Sequence, residues 1–226
     1  MHPMELISQG KGNTDLISGY TSSSIGISEQ VTLNVGVNAQ VLTLNNSWTL
    51  EPRAGIKWQF SPKSSFALAY GLHSRMEKMD VYFVKTQGTG DRSVNKDLGF
   101  TRAHHVMLSY GFKVSDNMNM KIEPYFQQLY DVPVISDSSY SVLNRRDFYV
   151  ENALVNRGKG RNIGVDITLE RYLNKGLYYM VTASIFDSKY YGGDRKWRNT
   201  LYNRNFIVNV LGGKEWMVGR DRQNMF

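Results

Sequence analysis

The sequence contains no cysteine, and this absence excludes disulfide bonds, thiolate metal sites and cysteine nucleophiles. It also lacks any uninterrupted apolar run near the roughly 18 residues of a helical membrane span. Hydrophobic residues make up 41% of the 226 residues, a share that is low for an inner-membrane protein and ordinary for a β-barrel with a wet interior. At this length the chain can form one large all-β domain or two small ones.

The residue patterns of common catalytic and nucleic-acid-binding sites are missing as well. We find no Ser/His/Asp arrangement, no glycine loop for phosphate and no carboxylate pair in a catalytic context, so we do not expect an enzyme. The net charge is +7, but no short basic run carries interleaved aromatics, so we expect no nucleic-acid partner. His104 and His105 are neighbours on a predicted strand and would point to opposite faces, which makes them a poor metal pair. We therefore expect neither a metal nor a cofactor.

What the sequence does contain is alternation of apolar and polar residues with a period of two, clearest over residues 48–60. Side chains on a strand point to opposite faces in turn, so one face of this segment is wholly apolar and the other carries three charges. A soluble sandwich buries an apolar face against a second sheet. A transmembrane barrel turns that face toward lipid and lines its lumen with the polar one. The apolar set is Trp48, Leu50, Pro52, Ala54, Ile56, Trp58 and Phe60.

The same alternation recurs along most of the chain and predicts an all-β fold. We expect an antiparallel up-and-down meander of about 9–10 long strands that forms part of an outer-membrane β-barrel. Residues 1–17 are polar and unpatterned, so we expect a poorly ordered N-terminal segment there and a partial barrel domain over residues 18–226. The predicted strands cover residues 19–27, 31–44, 48–60, 65–74, 105–114, 118–130, 162–172, 177–188 and 206–216.

The joints between these strands distinguish a barrel from a Greek-key sandwich. Successive hairpins place alternate joints at opposite ends of an up-and-down sheet, so the tight and long joints predicted here would collect at opposite ends. Outer-membrane barrels have this asymmetry, and the predicted strand lengths of about 10–13 residues suit a tilted bilayer crossing. Tight joints are predicted at 28–30, 61–64, 115–117, 173–176 and 219–223, and the others at 45–47, 75–103, 131–158 and 189–203.

Seven charged residues on the polar sides of these strands are the candidate lumen-facing residues. They either form a solute path or a docking wall for a plug, or they are the lining of a wet inner wall whose charges pair across strands. Six aromatic residues lie near the tight turns and either form one interfacial belt or pack as ordinary strand residues; they are Trp58, Phe60, Phe112, Tyr172, Tyr178 and Tyr179. Pro52 and Pro124 each remove a backbone donor, so we expect a bulge or a strand end at each. The seven candidates are Glu51, Arg53, Lys57, Lys121, Glu123, Asp166 and Glu170.

Several segments together resemble the TonB-dependent receptors of the Bacteroidetes type, whose members carry a carboxypeptidase-regulatory-like domain. The run Glu51-Pro52-Arg53-Ala54-Gly55 resembles an "EPR-x-G" strand of that family, and residues 68–74, 95–105 and 121–134 resemble others. The resemblance covers the chain from about residue 20. It implies a plugged outer-membrane barrel that imports a scarce nutrient with energy from the TonB system. Outer-membrane lipid, the TonB system and a surface lipoprotein are the partners it implies.

The resemblance places the chain in the C-terminal part of such a barrel. Large transporters of this kind have about 22 strands and a plugged lumen, whereas we count at most ten strands and see no plug, TonB box or signal peptide. We therefore expect a fragment that contributes barrel wall and extracellular loops to an intact parent. Two alternatives stay open: a complete small barrel that acts as a porin or adhesin, and a soluble all-β carbohydrate-binding module.

Overall fold

A computed structural model describes residues 11–85, 93–145, 150–218 and 224–225. Ten strands in this part of the chain form one antiparallel sheet in the order β1-β2-β3-β4-β5-β6-β7-β8-β10, with β9 paired to β8. The prediction of an all-β up-and-down meander is confirmed. The strands are β1 (Leu16–Gly26), β2 (Val31–Leu42), β3 (Ser47–Ser61), β4 (Ser64–Arg75), β5 (Thr101–Ser115), β6 (Met118–Val134), β7 (Val155–Asn174), β8 (Leu177–Tyr191), β9 (Trp197–Asn199) and β10 (Phe206–Lys214).

Shorter elements lie outside this sheet. The helix α1 (Met79–Tyr82) and a 3₁₀ turn (Val142–Asn144) belong to the long connections. Two short strands, β11 (Met217–Val218) and β12 (Asn224–Met225), pair with each other. The helices within the described ranges are too short and too polar to cross a membrane.

The predicted strand bounds differ most at β7, which begins at Val155 rather than at residue 162. Residues 157–161 do alternate, but Arg157, Lys159 and Arg161 fall on the face that is apolar further along the strand, and glycines fill the other face. A search for apolar alternation therefore misses these residues. β1 starts at Leu16, inside the segment predicted to be loose. Residues 1–10 of that segment, and the predicted turn at 219–223, lie outside the described residues.

Four tight connections lie at one end of the sheet, and the three long connections lie together with one short one at the other end, as the sequence predicts. One end carries the joints at residues 27–30, 62–63, 116–117 and 175–176, and we call it the tight-turn end. The other end carries the joints at 43–46, 76–100, 135–154 and 192–205, and we call it the long-loop end. Turn chemistry fits at Asn46 and Gly176, which adopt positive φ angles of 56° and 76° that Asn and Gly tolerate in tight reversals.

The apolar residues of the sheet lie on one face and are open to the surroundings. Trp48, Leu50, Ile56 and Trp58 expose 65%, 52%, 40% and 49% of their surface, and Val106 on β5 exposes 38%. A sandwich would cover this row with a second sheet; in the described part of the chain the sheet is a single layer. We call this side the apolar face and the opposite side the polar face.

The height of the apolar band along β3 matches the thickness of the outward apolar band of an outer-membrane barrel. Trp48 and Trp58 lie ten residues apart on β3, which is about 33 Å of strand and about 23 Å of height at a tilt of about 45°. The outward apolar band of an outer-membrane barrel is about 25 Å tall and is flanked by aromatic girdles. The two tryptophans therefore have the separation of interfacial anchors.

The buried hydrophobic core lies in the loops rather than in the sheet. Nine buried residues form one cluster at the long-loop end: Leu42, Val81, Tyr82, Phe83, Val84, Leu98, Phe100, Val150 and Leu154. The buried amide of Asn95 fastens the two long loops, because its Nδ2 donates to the Asn152 carbonyl at 3.0 Å and its Oδ1 accepts from the Leu154 amide at 2.8 Å. The described parts of the 76–100 and 135–154 connections thus pack as one unit.

Replacing Tyr82 by Ala should destabilise this loop core by about 3–4 kcal/mol, because a fully buried aromatic ring is removed. The matched control is Tyr20→Ala on β1, where the ring is 84% exposed and a change within about 0.5 kcal/mol is expected. Denaturant unfolding in detergent, followed by protease protection of the loops, measures both. Equal effects of the two substitutions would show that the loops have no core of their own.

Candidate functional site

The polar face gathers all seven charged residues that the sequence singles out. The strand register places Arg53 opposite Gly36 and Gly71, and Glu123 opposite Asp166. The same register turns Lys57, Lys121 and Glu170 to the polar face. Glu51 also points to this face, opposite Asn38 on β2. The seven side chains therefore lie on one wall, spread over β3, β6 and β7. Their assignment to a barrel lumen stays a prediction.

Within this wall the closest charge pairs form along single strands. Arg53 lies 3.0 Å from Glu51 on β3, and Lys121 lies 2.8 Å from Glu123 on β6, each between nitrogen and carboxylate oxygen. Residues two apart on a strand share a face, which explains both contacts. These two pairs follow the strand direction, whereas the wet-wall alternative expected charges to pair across strands.

Glu51 is the best-connected of the seven residues and the only fully buried one, at 1% exposure. Its carboxylate accepts from Asn38 Nδ2 at 3.1 Å, Gln40 Nε2 at 2.8 Å and Arg53 at 3.0 Å. It also accepts the backbone N–H of Ser74 on β4 at 3.0 Å. The side chain thus ties β2, β3 and β4 together.

Pro52 explains why a carboxylate is needed at this point. The ladder between β3 and β4 ends at Arg53, paired with Gly71, one residue short of Pro52. Because proline has no backbone donor, the strands part there and backbone groups of β4 lose their ladder partners. The Glu51 carboxylate satisfies one of them, the Ser74 amide. The "EPR" segment therefore works as a joint in the sheet. The predicted bulge or strand end at Pro52 is wrong, because β3 continues through Pro52 in register with β2 and only its pairing with β4 ends there.

Pro124 behaves differently from the prediction. It stays in register opposite Val165 on β7, and the pairing of β5 with β6 skips it between Tyr110–Ile122 and Met107–Tyr125 without a shift in register. Neither a bulge nor a strand end occurs at this position. The missing donor faces β5, so only that ladder is interrupted.

A cavity of about 570 Å³ lies on the polar face beside this joint. Arg53, His73, His105 and Met107 line it together with small residues of β1, β2 and β4. The two imidazole rings lie 4.6 Å apart between centroids. The sequence does not indicate this pair, because the two residues are far apart in the chain and become neighbours only through the register of β4 and β5.

From His105 a line of polar side chains crosses the sheet. Its Nε2 contacts Gln127 on β6, which accepts from Asn162 on β7. Asn162 accepts from Ser188 Oγ on β8 at 2.7 Å. His104 points to the apolar face and bonds Tyr70 there at 2.9 Å, so the prediction that the adjacent histidines face opposite sides is confirmed. Among the described residues no group of three or more metal-ligating side chains is present.

Aromatic side chains form contacts near both edges of the apolar face. At the tight-turn end Trp58 and Phe60 lie 5.3 Å apart, and Phe60 stacks on Tyr110 at 6.3 Å between ring centroids. The prediction that Tyr172 joins this belt is wrong, because its hydroxyl accepts a hydrogen bond from Asn119 on the polar face. Tyr178 also departs from it, because it alternates with Tyr179 and pairs with Gly213. Tyr172 lies two residues beyond Glu170 on β7, so strand alternation itself places it on the polar face.

The fold is similar to parts of known outer-membrane transporters. The siderophore receptor PiuA from Acinetobacter baumannii superposes with a TM-score of 0.67 at 13% identity, covering 91% of this chain and 31% of that protein. The ferric-catecholate import receptor Fiu from Escherichia coli gives 0.64 at 10% identity over 92% and 32%. The RagAB peptide importer gives 0.52 at 13% identity over 78% and 22%.

These likenesses show the fold, which is that of a segment of a large outer-membrane barrel. The chain spans about a third of the length of PiuA and of Fiu, and it covers 31% of the outer-membrane transporter YddB from Escherichia coli. No protein-family model and no curated protein sequence matches the chain.

Replacing Glu51 by Ala should destabilise the sheet by about 3 kcal/mol, since it leaves Arg53, two amides and the Ser74 N–H without their acceptor. Glu51→Gln keeps the shape and should cost less. Lys57→Ala, an exposed cation of the same strand, is the control and should stay within about 0.5 kcal/mol. Urea midpoints in detergent micelles measure the three variants, and an unchanged midpoint for Glu51→Ala would contradict the joint.

Glu77 gives the loop core a pH dependence. Burial raises the pKa of this carboxyl above its ordinary value, against the opposing hydrogen bond from Thr101 Oγ1 at 3.0 Å. A raised folded-state pKa means that the folded protein holds a proton that the unfolded chain releases. Protonated Glu77 therefore stabilises the folded state at acid pH, and this stabilisation is lost as pH rises through the folded-state pKa of Glu77. Limited proteolysis of the loops should be slower at mildly acidic than at mildly alkaline pH.

Two carboxyl-to-amide variants separate this effect from general acidity. Glu77→Gln should flatten the pH dependence, because the amide stays neutral. Glu29→Gln at an exposed turn should leave it as in the parent chain. A slope that survives in Glu77→Gln would assign the dependence to another group.

Proposed function

We propose that this chain forms part of the barrel wall of a TonB-dependent receptor in the outer membrane. In this arrangement the apolar face contacts lipid and the polar face lines the lumen. The observation that carries the proposal is the single-layered sheet whose apolar row stays exposed, with Leu50 at 52% and Ile56 at 40%. Acyl chains are the surroundings that suit such a row.

The sorting of connections gives the wall a direction. Outer-membrane barrels have short periplasmic turns and long extracellular loops, so we place the tight-turn end toward the periplasm and the long-loop end outside. The packed 76–100 and 135–154 loops, with the 192–205 connection, then form the surface that a nutrient meets first. The seven charged residues and the His73–His105 cavity face its path.

The two sheet edges support a place within a larger barrel. In the described residues β1 and β10 each pair on one side only, and all eleven residues of β1 are exposed. Unpaired backbone groups are not tolerated in hydrocarbon, so further strands must complete the wall. This agrees with a chain that spans 31% of a similar receptor. The TonB system is then the energy source of the intact receptor.

The similar structures differ in the nutrients that their names mention. The similar structures carry names that refer to siderophores, ferric catecholates and peptides, so the barrel wall is what they share. We keep the Bacteroidetes type as part of the proposal on the basis of the resemblance of the "EPR" segment alone. We include a surface lipoprotein as a further partner on the basis of that resemblance.

Thiol labelling tests the membrane placement, and the absence of native cysteine keeps the readout clean. Ile56→Cys and Lys57→Cys are neighbours on β3 that point to opposite faces. In lipid vesicles a water-soluble maleimide should label the K57C variant rapidly and spare the I56C variant, because acyl chains shield the apolar face. Protection of Ile56→Cys in water, with neither lipid nor detergent present, would instead favour a soluble sandwich that buries the apolar face.

Solute uptake tests the partial-wall proposal separately. Vesicles that carry residues 1–226 alone should show no uptake, because the two sheet edges are unpaired. Uptake by these vesicles, together with heat-modifiable migration on a gel, would replace the proposal with a complete small barrel.

A further inference from the structure

The apolar face changes character abruptly along β7 as the strand approaches the long-loop end. Leu169, Ile167, Val165 and Ile163 occupy successive positions on this face, and Arg161, Lys159 and Arg157 continue the same row. On β8 the row passes from Ile185 through Asp187 to Lys189, which pairs with Arg161. Hydrocarbon-like surface therefore ends within one step of a dense group of cations.

These cations are held against aromatic rings. The Arg161 guanidinium lies 5.7 Å from the ring centroid of Trp197, and Lys159 Nζ lies 5.9 Å from that of Tyr191. The two rings contact each other at 5.4 Å. Trp197 is 44% exposed. We call Arg157, Lys159, Arg161, Lys189 and Arg195, with these two rings, the cationic patch.

Nearby carboxylates neutralise only part of the patch. Asp187 pairs with Lys189 at 3.1 Å, and Asp194 is held by Arg198 outside the patch. Asp137 lines the adjoining pocket. In the described residues the Arg161 Nε is buried and has no hydrogen-bond partner. The patch therefore keeps an excess of positive charge and an unused donor.

A pocket of about 220 Å³ adjoins the patch and is lined by Arg157, Lys159, Tyr191 and Arg195. Its walls are fixed by close backbone packing between two loops. The Asp194 amide donates to the Ser138 carbonyl at 3.0 Å, and a Cβ on Gly193 would come within 1.9 Å of the Ile135 carbonyl oxygen. Three cations around a rigid pocket of this size suit a phosphate group.

We propose that the cationic patch binds the phosphate groups of anionic lipids that surround the barrel. Arg161 and Lys159 lie two and four residues beyond Ile163, which is about 5 Å and 9 Å of height above the apolar row at a tilt of about 45°. This is the depth of the headgroup layer. Tyr and Trp rings are enriched at that level, and long cationic side chains reach its phosphates.

The location separates this site from the transport path. The patch lies on the apolar face of the sheet, whereas a transported solute would meet the polar face. The inference rests on the membrane placement proposed above, and it adds a lipid class to it. Each Lys or Arg side chain near an anionic lipid surface contributes about 1 kcal/mol to binding.

Lipid retention in mixed micelles tests the proposal without a closed barrel or transport. The full 226-residue chain, refolded in zwitterionic detergent, is incubated with phosphatidic acid or phosphatidylcholine of matched acyl chains, and bound lipid is counted by native mass spectrometry. The parent chain should prefer phosphatidic acid. The double variant Lys159→Gln/Arg161→Gln should weaken its binding by about thirtyfold.

Controls distinguish this site from general electrostatics and from free phosphate. Lys78→Gln/Lys96→Gln removes two exposed loop cations at the same end of the sheet and should bind lipid like the parent chain. Circular dichroism verifies that each variant has kept its strands. If the Lys159→Gln/Arg161→Gln variant fails this check, Arg157→Gln, whose side chain is exposed, replaces it as the patch variant.

Three outcomes would overturn the proposal. They are equal retention of the two lipids by the parent chain, equal loss in the loop variant, and displacement of phosphatidic acid by an equimolar amount of inorganic phosphate. The thiol test reads residue 56, far from the patch, so failure of the membrane placement and failure of the lipid site give separate results.

Discussion

A single-layered sheet cannot bury its own apolar face, and this constraint governs the rest of the structure. Trp48, Leu50, Ile56 and Trp58 remain exposed although they are among the most hydrophobic residues of the chain. In water such a continuous row would favour association. In a bilayer the same row gains its stabilisation from the surrounding medium, and the protein needs no second layer. The backbone must then be paired within the sheet, which long antiparallel strands achieve everywhere except at the two edges.

Because the sheet has little core of its own, polar contacts and loops hold the fold in place. Glu51 joins three strands at the point where Pro52 interrupts the ladder. The buried cluster around Tyr82 and Leu42 anchors the long loops to the end of β2. A lumen wall needs a rigid register but a wet surface, and side-chain hydrogen bonds along the polar face provide both. Buried Glu51 therefore has a structural role, whereas Arg53 and Lys57 on the same strand stay exposed on the polar face.

The sequence predicts the parts of this structure that depend on periodicity. The alternation over residues 48–60 gives the two faces of β3, and the joint lengths give the direction of the sheet. Charged residues replace apolar ones on the apolar face at Arg161 and Lys159, and there the periodicity of apolar residues places the start of β7 too late. The His73–His105 pair and the reach of Glu51 to Ser74 depend on register between strands. Register follows from the complete set of pairings and is not contained in any single segment.

The loop core shows a different limit. Residues 81–84 are four consecutive apolar or aromatic residues inside a stretch without alternation, and a short run of this kind does not distinguish a buried turn from a strand. Its role becomes clear only once α1 packs against Leu98, Val150 and Leu154. Long connections that carry their own core are typical of functional loops rather than of simple linkers.

The distribution of charge differs between the two faces of the sheet, which bears on the receptor proposed above. Among the seven lumen candidates three are cations and four are carboxylates, so the polar face holds nearly balanced charge. The excess of basic residues in the chain lies partly on the opposite side, in the cationic patch beyond Ile163. A balanced wall imposes no strong field of one sign on a passing solute, whereas a concentrated patch attracts counter-ions over about a Debye length. We therefore expect selectivity for the solute to come from the loops and the cavity, and the net charge of +7 to act mainly at the membrane surface.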